Sequence, residues 1–158
     1  MVESFNCYDR RVTRWLDPGQ QRDWRAFIEG SIRIIDLLDQ RLREQHGLSL
    51  AEFEILVRLS ESEGRMRMAE LAELAYYSRS RLSHQIKRLE ARGLVRRETV
   101  PDDKRGVLAA LTAEGTAALD AAARDNLETV REHFVDAVEP ADLRALGRAM
   151  RAVADRLG

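Results

Sequence analysis

Long apolar runs are absent from this chain. No stretch approaches the ~20 residues that a membrane span requires, so no membrane-spanning segment is expected. Cysteine is nearly absent too, and the single Cys7 excludes an internal disulfide framework. The N-terminal run MVESFNCYDRRVTRW carries acids and lacks an apolar centre, which argues against a secretory signal. These three absences together predict a cytoplasmic chain. The three histidines, His46, His84 and His133, share no ligand spacing, so neither a metal site nor a cofactor is expected. There is no Ser/His/Asp arrangement, phosphate-binding loop or glycine fingerprint, which removes the usual grounds for an enzyme. Internal repeats and low-complexity tracts are missing as well.

What remains is a chain of 158 residues, 44% hydrophobic and 34% charged, the composition of one soluble domain spanning 1–158. Asp17-Pro18-Gly19-Gln20 has the chemistry of a helix start, with Asp17 as cap and Pro18 at the first position. From Trp24 through Phe27, Ile28, Ile35, Leu38 and Leu42 an amphipathic pattern runs to about His46, where Gly47 ends it. At about 1.5 Å per residue this helix would be about 40 Å long, more than a small core can cover. Glu29, Asp36, Asp39 and Glu44 are expected on its solvated surface. Ser49-Leu50-Ala51-Glu52 is a capping box for a second helix, and Arg65-Met66-Arg67 is compatible with a short strand. Thr112 caps a further long helix through Leu119, Leu127, Phe134 and Val138, which Glu139-Pro140 interrupts. In the last helix Leu143, Leu146, Met150, Val153 and Leu157 alternate spacings of three and four, a seam of the coiled-coil type.

The middle of the chain, Met68 to Thr112, reads as one device. Met68, Leu71, Ala72 and Ala75 give a short helix its inward face. Ser78 can cap the next helix and Gly93 can end it, with Leu82, Ile86 and Leu89 as its apolar stripe. The opposite face holds Ser80, His84 and Lys87, flanked by Arg81, Ser83 and Arg88, and no carboxylate. Two helices joined tightly, the second basic on its free side, form a helix-turn-helix pattern. Two β-compatible runs follow, joined by Pro101-Asp102-Asp103-Lys104-Arg105-Gly106, a charged turn that makes the device a winged helix. From Ser78 to Gly106 there are nine Lys/Arg against four Asp/Glu, a net +5 in a chain of net −1. Phosphate neutralisation depends on local potential, so the near-neutral total is no objection to a nucleic-acid partner.

The runs LAELAYYSRSRLSHQIKRLEARGLVRRE and PDDKRGVLAALTAEG resemble the MarR family of winged helix-turn-helix transcription regulators. The expected architecture is mainly α with a small β-hairpin wing: dimerisation helices over 17–46 and 114–157 flanking a DNA-binding lobe over 49–112. The expected function is a homodimeric, sequence-specific regulator that reads a near-palindromic site in double-stranded DNA. Ser80, Arg81, His84 and Lys87 are candidates for base edges, and Ser78, Arg79, Ser83 and Arg88 for phosphates. At the wing, where the motif includes Lys104, the resemblance implies that Arg105 enters a minor groove while Asp103 orients it.

The resemblance also implies a repressor released by a small aromatic or anionic effector. Trp15, Trp24, Phe27, His46, Phe53 and Tyr76 are candidates to line its cleft, with core packing as the competing reading for Trp24, Phe27 and Phe53. Some family members sense peroxides through a cysteine, so Cys7, flanked by Tyr8 and near Arg10 and Arg11, is a candidate redox site. A module that binds DNA without sequence preference, or that acts through protein contacts, is the other alternative.

Overall fold

The computed structural model describes residues 13–75, 78–100 and 103–158, with the side chains of 100 and 103–105 excepted. The chain divides into two compact units, Met1–Arg33 and Ile34–Gly158. The first helix, α1 (Pro18–His46), is one continuous element. Its start is fixed as the sequence suggests: the Gln20 N–H donates to Asp17 Oδ1 at 2.9 Å, and the Asp17 N–H donates to Gln20 Oε1 at 3.1 Å. Two orphan donors of the first turn are thereby satisfied.

In Ile34–Gly158 the elements follow in the order α2 (Leu50–Glu61), β1 (Arg65–Arg67), α3 (Met68–Leu74), α4 (Arg79–Ala91), β2 (Val95–Val100), β3 (Asp103–Leu111), α5 (Ala113–Val130) and α6 (Pro140–Leu157). The three strands form an antiparallel sheet in the order β1-β3-β2. Arg65-Met66-Arg67 is therefore a strand, and it pairs with the hairpin through Met66 opposite Ala109. Across the hairpin Val95 faces Leu111 and Thr99 faces Val107, and the register slips between Thr99 and Val100. Helices α3 and α4 with this sheet make the winged helix-turn-helix expected from the sequence.

The core collects one apolar face from each element. Leu42 of α1, Ile55, Leu56 and Leu59 of α2, Leu71 of α3, Leu82, Ile86 and Leu89 of α4, Val95 and Ala109 of the sheet, and Leu119 and Ala122 of α5 are all buried in it. Burying a Leu or Ile side chain contributes about 1.5–3 kcal/mol, so this cluster is the main term holding the lobe together. Helix ends are closed locally. Gly93, at φ +72°, donates to the Glu90 carbonyl, and the Leu94 N–H reaches back to the Leu89 carbonyl at 3.0 Å. This is a Schellman closure, whose left-handed residue favours glycine.

Two expectations need correction. The helix after Thr112 is α-helical only to Val130. Arg131–Val135 forms a π-type turn in which the Asp136 N–H bonds the Arg131 carbonyl at 2.8 Å. Composition does not mark such a turn, because it replaces one hydrogen-bond offset by another without special residues. Asp39, expected on the solvated surface, is instead tied into the lobe. It pairs with Arg43 at 2.6 Å and accepts the Leu50 N–H at 2.8 Å. The Arg43 guanidinium holds the Asp39 carboxyl below its usual range, with the Leu50 N–H acting in the same direction.

Candidate nucleic-acid interface

Helix α4 is placed by its apolar stripe, so its other face is necessarily outward. The Ser78 hydroxyl caps it, accepting the Arg81 N–H at 3.2 Å. Ser78, Arg79, Ser80, Arg81, Ser83, His84, Lys87 and Arg88 are all exposed. These eight sequence-predicted positions are therefore on one accessible element, but their side chains are not equivalent. Among the described residues, no ion pair holds Arg79 or Lys87. Arg88 Nε lies 3.0 Å from Glu52 Oε1, and Ser83 is engaged by a strand residue outside the sequence-predicted set.

That residue is Arg97 of β2. Its Nη2 donates to the Ser83 carbonyl at 3.2 Å and reaches the Ser83 hydroxyl at 3.5 Å. Its backbone N–H donates to Glu90 Oε1 at 3.1 Å, and its Nε lies 3.4 Å from Glu90 Oε2. Arg97 therefore brackets the wing to α4. The signal was available: a period of two puts Arg97 on the same strand face as the buried Val95. Arg67, Arg79, Ser83 and Arg97 line a cleft of about 400 Å³ with Met68, Leu82 and Val107. Among the described residues, three guanidinium groups and no carboxylate line it, and one of the three, Arg97, is already paired with Glu90.

The far end of α4 is held at the corner between α1 and α2. Arg92 Nη1 donates to the Gly47 carbonyl at 2.8 Å and Nη2 to the His46 carbonyl at 3.2 Å. His46 Nε2 in turn meets Asp125 Oδ2 of α5 at 2.7 Å. The wing residues Asp103, Lys104 and Arg105 fall at the start of β3, where their backbone is in the strand and their side chains lie outside the described set.

This arrangement can be set beside known proteins. A family profile described as the MarR family matches residues 46–106, which run from the last residue of α1 into the first part of β3. AbsC, a MarR family transcriptional regulator from Streptomyces coelicolor, is 43% identical, with 92% of this chain and 98% of that chain covered at a TM-score of 0.87. The chain belongs to the MarR family. A second MarR family transcriptional regulator of Streptomyces coelicolor, Sco3205, solved in complex with DNA, is 42% identical, with 92% and 91% covered at a TM-score of 0.89. No curated protein matches the sequence. Membership places the chain among transcriptional regulators rather than among enzyme families.

The residues suggested for an effector have diverse surroundings. Trp15 is 63% exposed. Trp24, 54% exposed, has its ring centroid 5.8 Å from that of the half-buried Phe27. Trp24 also lines, with Ile28 and Ile32, an open groove of about 520 Å³ on α1. Trp24 is therefore not part of the buried core of this chain. Phe53, at 5% exposure, belongs to the core. His46 is occupied by Asp125. Tyr76 and Cys7 lie outside the described residues. Among the described residues, no group of three His, Cys, Asp or Glu could hold a metal ion.

Proposed function

We propose that this MarR-family chain is a homodimeric, sequence-specific DNA-binding regulator that represses and is released by a small aromatic or anionic effector. The observation that carries the reading is the outward face of α4: exposed Arg79, Ser80, Arg81, His84 and Lys87, without a carboxylate, opening onto a cleft lined by Arg67, Arg79 and Arg97. Helix α4 enters a major groove, Arg81 contacts a guanine edge, and Ser80, His84 and Lys87 read neighbouring bases. Ser78, Arg79 and the hydroxyl side of Ser83 hold phosphates. The wing, carrying Asp103, Lys104 and Arg105, follows the adjacent minor groove. The complex of Sco3205 with DNA supports this reading by kinship.

The dimer uses residues 17–46 and 114–157, with 49–112 as the reading lobe. Its support is uncovered apolar surface: Trp24, Ile32 and Ile35 on α1, and Val153 and Leu157 on α6, are about half exposed or more. A two-fold pair of recognition helices calls for a near-palindrome. The effector favours a dimer whose recognition helices are wrongly spaced for DNA.

Two measurements test this. Sedimentation equilibrium at micromolar concentration should return twice the 18.1 kDa chain mass. A monomer would remove the palindromic reading. Arg105→Ala should weaken binding to operator DNA by about tenfold or more with an unchanged melting temperature, as expected for a lost minor-groove contact worth about 1–3 kcal/mol. Unchanged affinity would remove the wing from the interface.

A further inference from the structure

Glu52 is wholly buried, yet it carries a charge that its local duty does not need. It closes the capping box of α2, where its Oε2 accepts the Ser49 N–H at 2.8 Å and the Ser49 hydroxyl at 3.0 Å. Glutamine performs that duty equally well, because the capping box asks only for an acceptor. A buried carboxylate is costly unless it is paired. Its other oxygen, Oε1, has no hydrogen-bond partner among the described residues, but the Arg88 guanidinium lies 3.0 Å away as its counter-charge. Arg43 of α1, itself paired with Asp39, also feels the Glu52 charge.

Arg88 follows Lys87 on the recognition helix, and half of its side chain remains exposed. The sequence alone assigns it to a phosphate. Its Nε is instead turned inward to α2. One turn further on, Arg92 donates to the carbonyls that end α1, the negative end of that helix's dipole. Two arginines on successive turns therefore pin the C-terminal half of α4 to one corner, while Arg97 holds its middle through Ser83.

We propose that Arg88 is a positioning residue rather than a phosphate contact. The buried Glu52 carboxylate and Arg88 form a charge latch that sets the angle at which α4 is presented. The inference rests on the assignment of α4 as the DNA-reading helix. A latch of this kind acts on discrimination: a helix held at the correct angle is needed for base edges, whereas non-specific attraction depends on charge count.

Glu52→Gln, Arg88→Gln, their combination and the comparator Arg79→Gln are measured on two duplexes of equal length: one enriched by the wild-type protein from a random library, the other a scrambled version of it. Melting temperatures and a salt series accompany each. Glu52→Gln keeps the capping acceptor and cannot touch DNA. It should weaken binding to the enriched duplex by about tenfold, leave the scrambled duplex and the salt slope unchanged, and match Arg88→Gln. The double variant should be no worse than Arg88→Gln alone, because both remove one interaction. Arg79→Gln should instead weaken both duplexes and flatten the salt slope by about one per protomer, about two for the dimer.

Wild-type discrimination in Glu52→Gln, together with an Arg88→Gln variant that behaves like Arg79→Gln, would overturn the latch. So would a Glu52→Gln variant that melts earlier but whose folded fraction keeps the wild-type ratio of affinities. A wild-type protein that cannot distinguish the two duplexes would overturn the assignment of α4 itself, and the latch with it.

Discussion

Gly115→Ala is expected to destabilise the protein by about 1–3 kcal/mol, the usual cost of overpacking. Local propensity argues for the opposite sign, since alanine in a helix is favoured over glycine by about 0.5–1 kcal/mol. The close approach decides between them. A Cβ at Gly115 would fall inside the van der Waals shell of the Leu94 carbonyl oxygen, 2.9 Å from the Leu94 carbonyl carbon and 3.2 Å from Leu111 Cδ2. The obstacle is backbone, and it is held in place: the Leu94 carbonyl accepts the Thr112 N–H at 3.2 Å, and the Thr112 hydroxyl donates to the Gly93 carbonyl at 2.7 Å. Relief requires the start of α5 to move away from the segment that joins α4 to the wing. For a chain of this size, thermal melting should fall by roughly 3–10 °C. An alanine variant as stable as wild type would show that α5 and Leu94 do not approach so closely.

Arg79→Glu combined with Lys87→Glu should separate stability from binding. Neither cation has an ion-pair partner among the described residues, so reversing their charge breaks no contact described there. Position 79 opens α4, where an acid meets the positive end of the helix dipole. Thermal stability should therefore hold or rise slightly. DNA affinity should fall at least about a thousandfold at physiological salt, with the log–log salt slope of the dimer flattened by roughly seven, because four units of charge on the DNA-facing side of each protomer are changed. Unaltered affinity would take the outer face of α4 out of the interface. A loss confined to the enriched sequence, with an unchanged salt slope, would mean that Arg79, like Lys87, reads bases rather than phosphate.

The features legible in the sequence are those written within a few residues of themselves. Asp17, Ser49, Ser78 and Thr112 each announce a helix start because the capping hydrogen bond spans three residues. Leu82, Ile86 and Leu89 fix the buried face of α4 and so expose Arg79 and Lys87. The strand at Arg65–Arg67 and the hairpin were legible from alternation and turn chemistry. Long-range pairings were not legible. Arg88 reads as one more cation on a basic helix until Glu52, far away in sequence, is found beneath it. Arg97 reads as wing charge until Ser83 and Glu90 are found opposite. Of the nine Lys/Arg along this stretch, three have carboxylate partners: Glu52 takes Arg88, Glu90 takes Arg97, and Glu98 pairs with Arg96 at 2.7 Å; Glu90 and Glu98 are already subtracted in the net +5, so Glu52, from outside the stretch, is the one of the three that lowers it further. The cations left outward are fewer than the count suggests, and α4 carries Arg79 and Lys87 among them.

The most direct test of the account is selection of bound sequences from a random duplex library by the purified protein at physiological salt. The expected result is enrichment of a near-palindrome whose half-sites are centred about ten base pairs apart, one helical turn, as two α4 helices related by a two-fold axis require. Salt-sensitive binding with no enriched sequence would contradict it, leaving a winged helix that grips phosphate without reading bases.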